Sequence, residues 1–271
     1  MTDRPSPLSP APSLLADDDP PPFVVLNPEA TRPLLLICDH ASNRVPRALA
    51  GLGLGAATLG LHIGWDIGAA AVTELLAKRF AACAMFACYS RLVIDCNRAP
   101  GDPSSIPAVS DGIAIPGNEG LDEAEARRRT ESLFWPYHHE IGERIAHLWR
   151  QGRPPAVVSI HSFTPVLGGV ERPWHLGFLY NHDDRMTRRL IDTLARRAPE
   201  VIVGENEPYS GKDIGFTINT HAEPAGLPSL GVEIRQDLLA DAAGIGRWAG
   251  VLGEALAEVL ADEGLYVRRM T

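Results

Sequence analysis

The sequence predicts one α/β domain with a central mixed, mostly parallel sheet that is flanked by helices. Three observations lead to this prediction. Short apolar runs of strand length alternate along the chain with longer segments whose apolar residues recur at helical spacing. No internal repeat is visible, and the only break in composition is the start, MTDRPSPLSPAPSLLADDDPPP. We therefore expect residues 1–22 to form a flexible, proline-rich tail and residues 23–271 to form a single domain.

The predicted strands are short apolar runs that end at polar or turn-forming residues. They are, in chain order, Leu34–Cys38, Leu92–Cys96, Ala156–Ile160, Leu176–Tyr180, Val201–Gly204 and Ser229–Ile234. Ala81–Cys88 is a further apolar run. Continuous apolar strands of this kind are typical of a sheet that is covered on both faces.

The predicted helices lie between these runs and carry their apolar residues on one face. They are Gly64–Phe80, Leu121–Gln151, Met186–Ala198 and Asp237–Glu263. Pro136 lacks a backbone N–H group, so we expect the second helix to be interrupted or kinked there. We expect a break in the last helix near Gly244–Gly246, because glycine weakens a helix interior.

Charge and composition exclude several classes of protein. Lysine and arginine together number 25 against 34 aspartates and glutamates, which gives a net charge of −9. This balance argues against a nucleic-acid partner, because the phosphate backbone is bound by a basic surface. No apolar run reaches the roughly 18 residues of a membrane helix, and the N-terminus lacks the pattern of a secretory signal. Four cysteines are too few for a disulfide scaffold, so we expect a cytoplasmic protein with no membrane partner.

Two histidines and an aspartate stand where predicted strands end or a helix begins. His40 follows the first strand, His161 follows the run AVVSI, and Asp66 lies at the start of a helix. Ligands bind beyond the carboxyl ends of strands in such sheets, so these side chains are candidate ligands of a zinc ion, which needs about three protein donors. Their separations along the chain are long, and the pattern alone leaves open a purely structural role for each histidine.

A carboxylate and two arginines complete the set of candidates. Glu233 ends a late apolar strand, where it would act as a general base or form a salt bridge with Arg235 or another arginine. Arg91 and Arg98 flank the predicted strand Leu92–Cys96. Each would hold a substrate carboxylate through its planar guanidinium group or pair with an internal aspartate such as Asp95.

Eight stretches of the chain together resemble the N-formylglutamate amidohydrolase family. They are LLLICDHASNRVP, HIGWDIGA, YSRLVIDCNRAP, SIPAVSDGIAIPGN, PYHHEI, VSIHSFTPVLGGVERPWHLGFLYN, VGENEPYSGKD and GVEIRQDL, in this order. The resemblance runs from about residue 25 to about residue 250 and makes residues 23–271 the catalytic domain. It implies a phosphorylase/hydrolase-like α/β fold, similar to the zinc carboxypeptidases, and a zinc-dependent hydrolase of N-acyl amino acids. The family reaction releases formate from N-formyl-L-glutamate, a step in one route of histidine degradation.

The resemblance also assigns a metal site that holds one Zn²⁺ ion. It makes His40 and His161 ligands, and Asp66 a third ligand or a close partner of the ligands. Asn43 occupies the place where the related carboxypeptidases carry a glutamate ligand, so the third ligand is left between Asp66 and Asn43.

The remaining roles follow from the same resemblance and from the chemistry of the reaction. Asn97-Arg98 looks like the pair that holds a substrate carboxylate, and we expect Arg91 to assist it with an acidic small-molecule substrate. Glu233 looks like the catalytic glutamate. We hypothesise that His221 donates a hydrogen bond to the oxyanion that forms during hydrolysis.

Three alternatives stay open at this point. The same zinc scaffold would also suit another small N-acyl or amide substrate. A non-catalytic protein that binds a small acid would use the arginines and keep the histidines as structural residues. A thiol amidase would use Cys96 as its nucleophile. The sequence makes no prediction about the oligomeric state.

Overall fold

A computed structural model describes residues 13–269 of the chain and contains a seven-stranded mixed sheet. Its strands are β1 (Phe23–Leu26), β2 (Leu34–Cys38), β3 (Cys83–Ala87), β6 (Ala156–Phe163), β9 (Leu176–Leu179), β10 (Val203–Glu205) and β11 (Ser229–Arg235). Two small hairpins lie outside the sheet and pair β4 (Val109–Ser110) with β5 (Ile113–Ala114), and β7 (Val166–Leu167) with β8 (Val170–Glu171).

The strand order of the sheet is β1-β3-β2-β6-β11-β9-β10. The four central strands β3, β2, β6 and β11 run parallel to one another. β1 is antiparallel to β3, β9 is antiparallel to β11, and β10 is parallel to β9. The predicted fold class, a mixed and mostly parallel sheet in one α/β domain, is therefore confirmed.

Helices cover both faces of the sheet. They are α1 (Ala56–Leu59), α2 (Ala69–Phe80), α3 (Glu123–Arg129), α4 (Trp135–Arg150), α5 (Arg185–Arg197), α6 (Phe216–His221) and α7 (Ala242–Val259). Successive side chains of a strand point to opposite faces, so Leu36 joins the core under α2, α5 and α7, whereas Leu35 and Ile37 join the core under α4 and α6. This arrangement explains the uninterrupted apolar runs of the central strands.

The predicted strand Leu92–Cys96 is wrong. These residues are buried, but they form consecutive turns, in which the Val93 N–H donates to the Ser90 carbonyl at 2.9 Å and the Arg98 N–H donates to the Asp95 carbonyl at 3.2 Å. The strand beside β2 is β3, which comes from the apolar run Ala81–Cys88. An apolar run indicates that a segment is buried, and residues 92–96 are buried without forming an extended strand.

Two helices and one strand also differ from the prediction. α2 begins at Ala69 and not at Gly64, because residues 64–68 form turns in which the Asp66 N–H donates to the His40 carbonyl at 3.0 Å. α7 begins at Ala242 and is unbroken through its glycines, and Asp241 caps it by accepting from the Gly244 N–H group. The early edge strand β1, with its half-exposed residues, was not predicted.

The long helix predicted at residues 121–151 is present with an interruption just before Pro136. α3 continues into a wider, π-helical turn at Thr130–Phe134, which leads into α4. Pro136 has no N–H group to continue the regular bonding, and the wider turn accommodates this gap.

The described part of the N-terminal segment lies against the domain. Leu14 is buried, and its N–H group donates to the Ser132 hydroxyl at 3.1 Å. The Tyr89 hydroxyl donates to the Pro20 carbonyl. Residues 1–12 lie outside the described part, so a flexible tail stays a prediction for them. None of the helices within residues 13–269 is long and apolar enough to cross a bilayer.

Candidate active site

The candidate site lies at the carboxyl ends of the parallel strands β2, β6 and β11. His40 follows β2 by two residues, and His161 lies within β6. Glu233 is the register partner of His161 on β11. Asp66 reaches the same place from the turns before α2. The structure thus brings together four residues that are spread over most of the chain, at the edge where α/β sheets bind ligands.

His40, Asp66 and His161 form a buried cluster of donor atoms. Oδ2 of Asp66 lies 3.2 Å from Nδ1 of His40 and 2.8 Å from Nδ1 of His161. One donor atom from each residue lies within 4.8 Å of the other two, so the three converge on a common centre. Two imidazoles and one carboxylate are a donor set that suits zinc.

The outward-facing nitrogen of each histidine binds a carboxylate. Nε2 of His40 lies 2.7 Å from Oδ1 of Asp95, and Nε2 of His161 lies 3.2 Å from Oδ2 of Asp39. The Ser159 hydroxyl is also 2.9 Å from Nε2 of His161. Histidines that bind metals are usually oriented in this way, because the outer partner fixes the ring and leaves the other nitrogen for the metal. The cluster and its outer partners therefore fit a metal ion.

Asp39 is itself held by hydroxyl groups. Tyr137 and Thr217 donate to its Oδ1 at 3.0 and 2.8 Å, and Ser159 donates to its Oδ2 at 2.8 Å. Burial alone would raise the pKa of Asp39, but hydrogen bonding and attraction to His161 outweigh it and lower the pKa to about 2. Sequence reasoning gave neither Asp39 nor Asp95 this role, although the position of Asp39 directly before a candidate ligand was an available signal.

Glu233 is a buried carboxyl group beside the cluster. Its side chain has 5% exposure, and within residues 13–269 its Oε2 atom has no hydrogen-bond partner. Burial raises the pKa of this carboxyl group to about 7. The alternative salt bridge with Arg235 does not form, because Arg235 pairs with Asp237. A carboxyl group with a pKa near neutrality is suited to accept and return a proton.

Two cavities open beside the cluster and share a wall formed by Arg91, Arg98 and Tyr209. The inner cavity has a volume of about 90 Å³, and its lining includes the cluster and Glu233. The outer cavity has a volume of about 430 Å³. The small cavity at the cluster thus adjoins a wider space, with the three shared residues at their junction.

The two candidate arginines have different partners. Arg91 donates to Oδ2 of Asp95 from Nε at 3.1 Å and from Nη2 at 2.7 Å, and its Nη1 lies 3.4 Å from Asp66. It is therefore the arginine that pairs with an internal aspartate. Arg98 donates from Nη1 to the Asn97 carbonyl at 3.0 Å and forms no ion pair with a described residue. Asn97 lines the inner cavity, but its Oδ1 already accepts from the Thr217 N–H group.

His221, expected at the oxyanion, lies elsewhere. Its Nε2 is 2.9 Å from Nδ1 of His138, and the other nitrogen of His138 is 2.8 Å from the Cys96 carbonyl. Burial lowers the pKa of His221, and it lowers the pKa of His138 to about 4. Among the described residues that line the inner and outer cavities His221 is absent, so it is no candidate for contact with substrate there. Asn43 is likewise absent from both linings, and the third donor of the cluster is Asp66.

Tyr209 is a cavity residue that the sequence reasoning missed. Its hydroxyl accepts a hydrogen bond from Nη1 of Arg172 at 3.0 Å, and the guanidinium carbon of Arg172 lies 4.9 Å from the centre of its ring. Arg172 has 8% exposure and holds the ring in place. No spacing in the sequence connects these residues, because two separate loops bring them together.

One family profile and several solved structures are similar to this chain. The sequence profile described as N-formylglutamate amidohydrolase matches residues 32–240. The crystal structure of a gene product from Agrobacterium tumefaciens is similar, with 39% sequence identity and a TM-score of 0.88 over 92% of this chain and 98% of that chain. The crystal structure of an N-formylglutamate amidohydrolase from Ralstonia eutropha JMP134 has 21% identity and a TM-score of 0.63, over 89% of this chain and 97% of that chain. At that identity the similarity concerns the fold alone. No curated protein matches the chain.

Proposed function

The chain belongs to the N-formylglutamate amidohydrolase family, and from this membership we propose that it hydrolyses the amide bond of N-formyl-L-glutamate or a related N-acyl amino acid. The products are formate or another small acid and the free amino acid. The observation that carries the proposal is Glu233, a buried carboxyl group with no described partner for its Oε2 atom beside a His/Asp/His cluster.

We propose that His40, Asp66 and His161 hold one zinc ion. Imidazole nitrogen and carboxylate oxygen are donors that suit zinc. A zinc ion there supplies Lewis acidity, which lowers the pKa of water and polarises an acyl oxygen. Asp39 and Asp95 orient the two imidazole rings from outside.

Glu233 moves the proton in this proposal. Its carboxylate accepts a proton from the attacking water and passes it to the nitrogen of the leaving amino acid. A carboxyl group serves both halves of this transfer, first as the base that accepts the proton and then as the acid that returns it. The inner cavity, with about 90 Å³, favours a small acyl group at the reacting centre.

Arg98 holds the substrate carboxylate. It lines both cavities and has no ion-pair partner among the described residues, so its charge is available at the junction where the amino-acid part would lie. A guanidinium group grips a carboxylate in a fixed orientation, which sets the amide bond over the reacting centre.

The other two classes of function have less support. Burial raises the pKa of the Cys96 thiol well above its ordinary value, which disfavours the thiolate that an amidase nucleophile needs. A protein that only binds small acids gains nothing from a carboxyl group beside its arginine. We also propose a cytoplasmic location, because the four cysteines are buried and have free thiols.

The direct test is formate release by the purified full chain from a panel of N-formyl amino acids that includes N-formyl-L-glutamate. Zinc-loaded protein is compared with a sample treated with a chelator and with the same sample after zinc is restored. We expect release that the chelator abolishes and that zinc restores. A folded, zinc-loaded sample that releases no formate from any of these compounds overturns the proposal.

Tyr209→Phe is expected to lower kcat by about 100-fold, the lower end of the effect of removing one donor to an oxyanion. The Tyr209 hydroxyl accepts from Arg172, so its own O–H is free to donate to the acyl oxygen as charge develops there. Steady-state kinetics measure the change. Tyr266→Phe is the control, because the Tyr266 hydroxyl lies away from the cavities and donates to the Leu260 carbonyl. Equal kcat values for the two variants would remove Tyr209 from the reaction.

A further inference from the structure

The charges that line the outer cavity are nearly all paired. Arg91 pairs with Asp95 at 2.7 Å, and Nε2 of His62 lies 3.2 Å from Oδ2 of Asp111. Arg98 is the one cation in this described lining that forms no ion pair. The cavity therefore offers one free positive charge for a substrate carboxylate, and it holds two carboxylates of its own.

Five apolar side chains form one wall of the outer cavity, and the neutral polar residues Ser104, Ser110 and Tyr209 also line it. The five apolar residues are Ile63, Leu92, Pro107, Val109 and Leu167. Val109 and Leu167 come from the two hairpins, β4–β5 and β7–β8, which face this space. Val109 has 59% exposure, so apolar surface stands open to water at the mouth. Exposed apolar surface in a pocket is typical of a binding site, because a bound ligand covers that surface.

From these features, and resting on the proposed function, we infer that the preferred substrates are N-formyl or other small N-acyl derivatives of amino acids with an apolar side chain and a single carboxylate. The small acyl group lies in the inner cavity, the α-carboxylate pairs with Arg98 at the junction, and the side chain packs against the apolar wall of the outer cavity. Ile63, Val109 and Leu167 then determine the specificity.

A glutamate side chain fits this cavity poorly. Its second carboxylate finds no free cation in the outer cavity and faces Asp95 and Asp111. Desolvation of an unpaired carboxylate is unfavourable. An apolar side chain of similar size instead shields the apolar wall residues from water. Each methylene group in such a pocket changes kcat/KM by about 10-fold or more.

The test compares three substrates with the zinc-loaded full chain. N-formyl-L-leucine carries an apolar side chain, N-formyl-L-glutamate carries the second charge, and N-formyl-L-glutamine matches glutamate in size without that charge. We expect kcat/KM for the leucine compound to exceed that for the glutamate compound by about 10- to 100-fold, with glutamine between them. Calorimetric titration of the zinc-loaded Glu233→Gln variant gives the binding affinities without turnover, and we expect the same order.

Two variants on one hairpin locate the effect. Leu167→Arg adds a second unpaired cation to the lining of the outer cavity, and we expect it to shift the leucine-to-glutamate ratio of kcat/KM at least 10-fold toward glutamate. Val170→Arg adds the same charge at a position with 67% exposure outside that lining, and we expect it to leave the ratio unchanged. Equal shifts in both variants would show a general charge effect and overturn the assignment of the wall.

The outcomes separate this inference from the proposed function. Faster hydrolysis and tighter binding of N-formyl-L-glutamate than of N-formyl-L-leucine would overturn the inference and leave the proposed function intact. If none of the three compounds is hydrolysed by folded, zinc-loaded protein, the proposed function fails, and the inference fails with it.

Discussion

Replacement of Glu233 by glutamine is expected to lower kcat by about 10²- to 10⁴-fold, the contribution of general acid–base catalysis, while the zinc content stays that of the unaltered protein. Glutamine keeps the size of the side chain and removes its ability to accept a proton. Stopped-time assays of formate release measure kcat, and elemental analysis measures zinc. We expect substrate binding, measured by calorimetry, to change little, because Arg98 and the outer cavity are untouched and glutamine keeps the size of the side chain in the inner cavity.

Glu223→Gln is the matched control for this experiment. Glu223 is also buried, at 4% exposure, but its Oε1 accepts from the backbone N–H groups of Asn181 and His182 at 3.1 and 3.0 Å and serves the fold. We expect this variant to keep its kcat even where its melting temperature falls. A Glu233→Gln protein that retains kcat within about tenfold of the unaltered protein would show that another group moves the proton.

Asp66→Asn is expected to weaken zinc binding by more than about 100-fold. Loss of a residue that only orients a ligand from outside weakens metal binding by up to about 100-fold, and this substitution removes one of the three donors itself. The Asp66 carboxylate lies within hydrogen-bonding distance of both imidazoles, and attraction to His40 and His161 outweighs burial and holds its pKa well below the ordinary value. The neutral amide supplies a weaker donor. Competition with a fluorescent zinc indicator gives the dissociation constant, and formate release is measured on the same samples.

Asp39→Asn provides a graded comparison with Asp66→Asn. Of the three cluster residues, Asp39 contacts only His161, at its outer nitrogen. We therefore expect its replacement to weaken zinc binding by about 10- to 100-fold, which is less than the effect of Asp66→Asn. Full zinc stoichiometry and unchanged affinity in Asp66→Asn would exclude this residue from the metal site. Equal effects of the two substitutions would contradict the division into donors and outer partners.

Much of the fold could be predicted because burial on both faces leaves a strong local pattern. The sequence predicts the first residue of β2, β6 and β11 correctly, because each strand contains a largely apolar run. β6 extends three residues beyond its predicted end at Ile160. The same signal misled at Leu92–Cys96, where hydrogen bonds that Ser90 and Asp95 accept from later N–H groups hold a buried chain in turns. Nothing local distinguishes buried turns from a buried strand, because the choice depends on which run pairs with β2.

Some features of the candidate site could also be predicted from the sequence, and others could not. His40, Asp66 and His161 were proposed from residue type and resemblance, and the fold brings them together. The sequence cannot predict the partner of Arg91, because that partner depends on where the following turn places Asp95. The positions of His221 and Tyr209 depend on how α6 and the loop after β10 pack, and no periodicity in the sequence records that packing.

The long separations within the donor cluster link metal binding to the stability of the chain. Asp66 is 26 residues from His40 and 95 residues from His161. An unfolded chain would have to close both loops to assemble the three donors, so a metal ion binds the native state far more tightly than the denatured ensemble. By mass action, a free ion at about 1,000 times its dissociation constant adds about 4 kcal/mol to the free energy of unfolding. With a metal ion bound, the same three side chains would therefore also cross-link three distant parts of the chain, and the strength of that cross-link would depend on the metal supply.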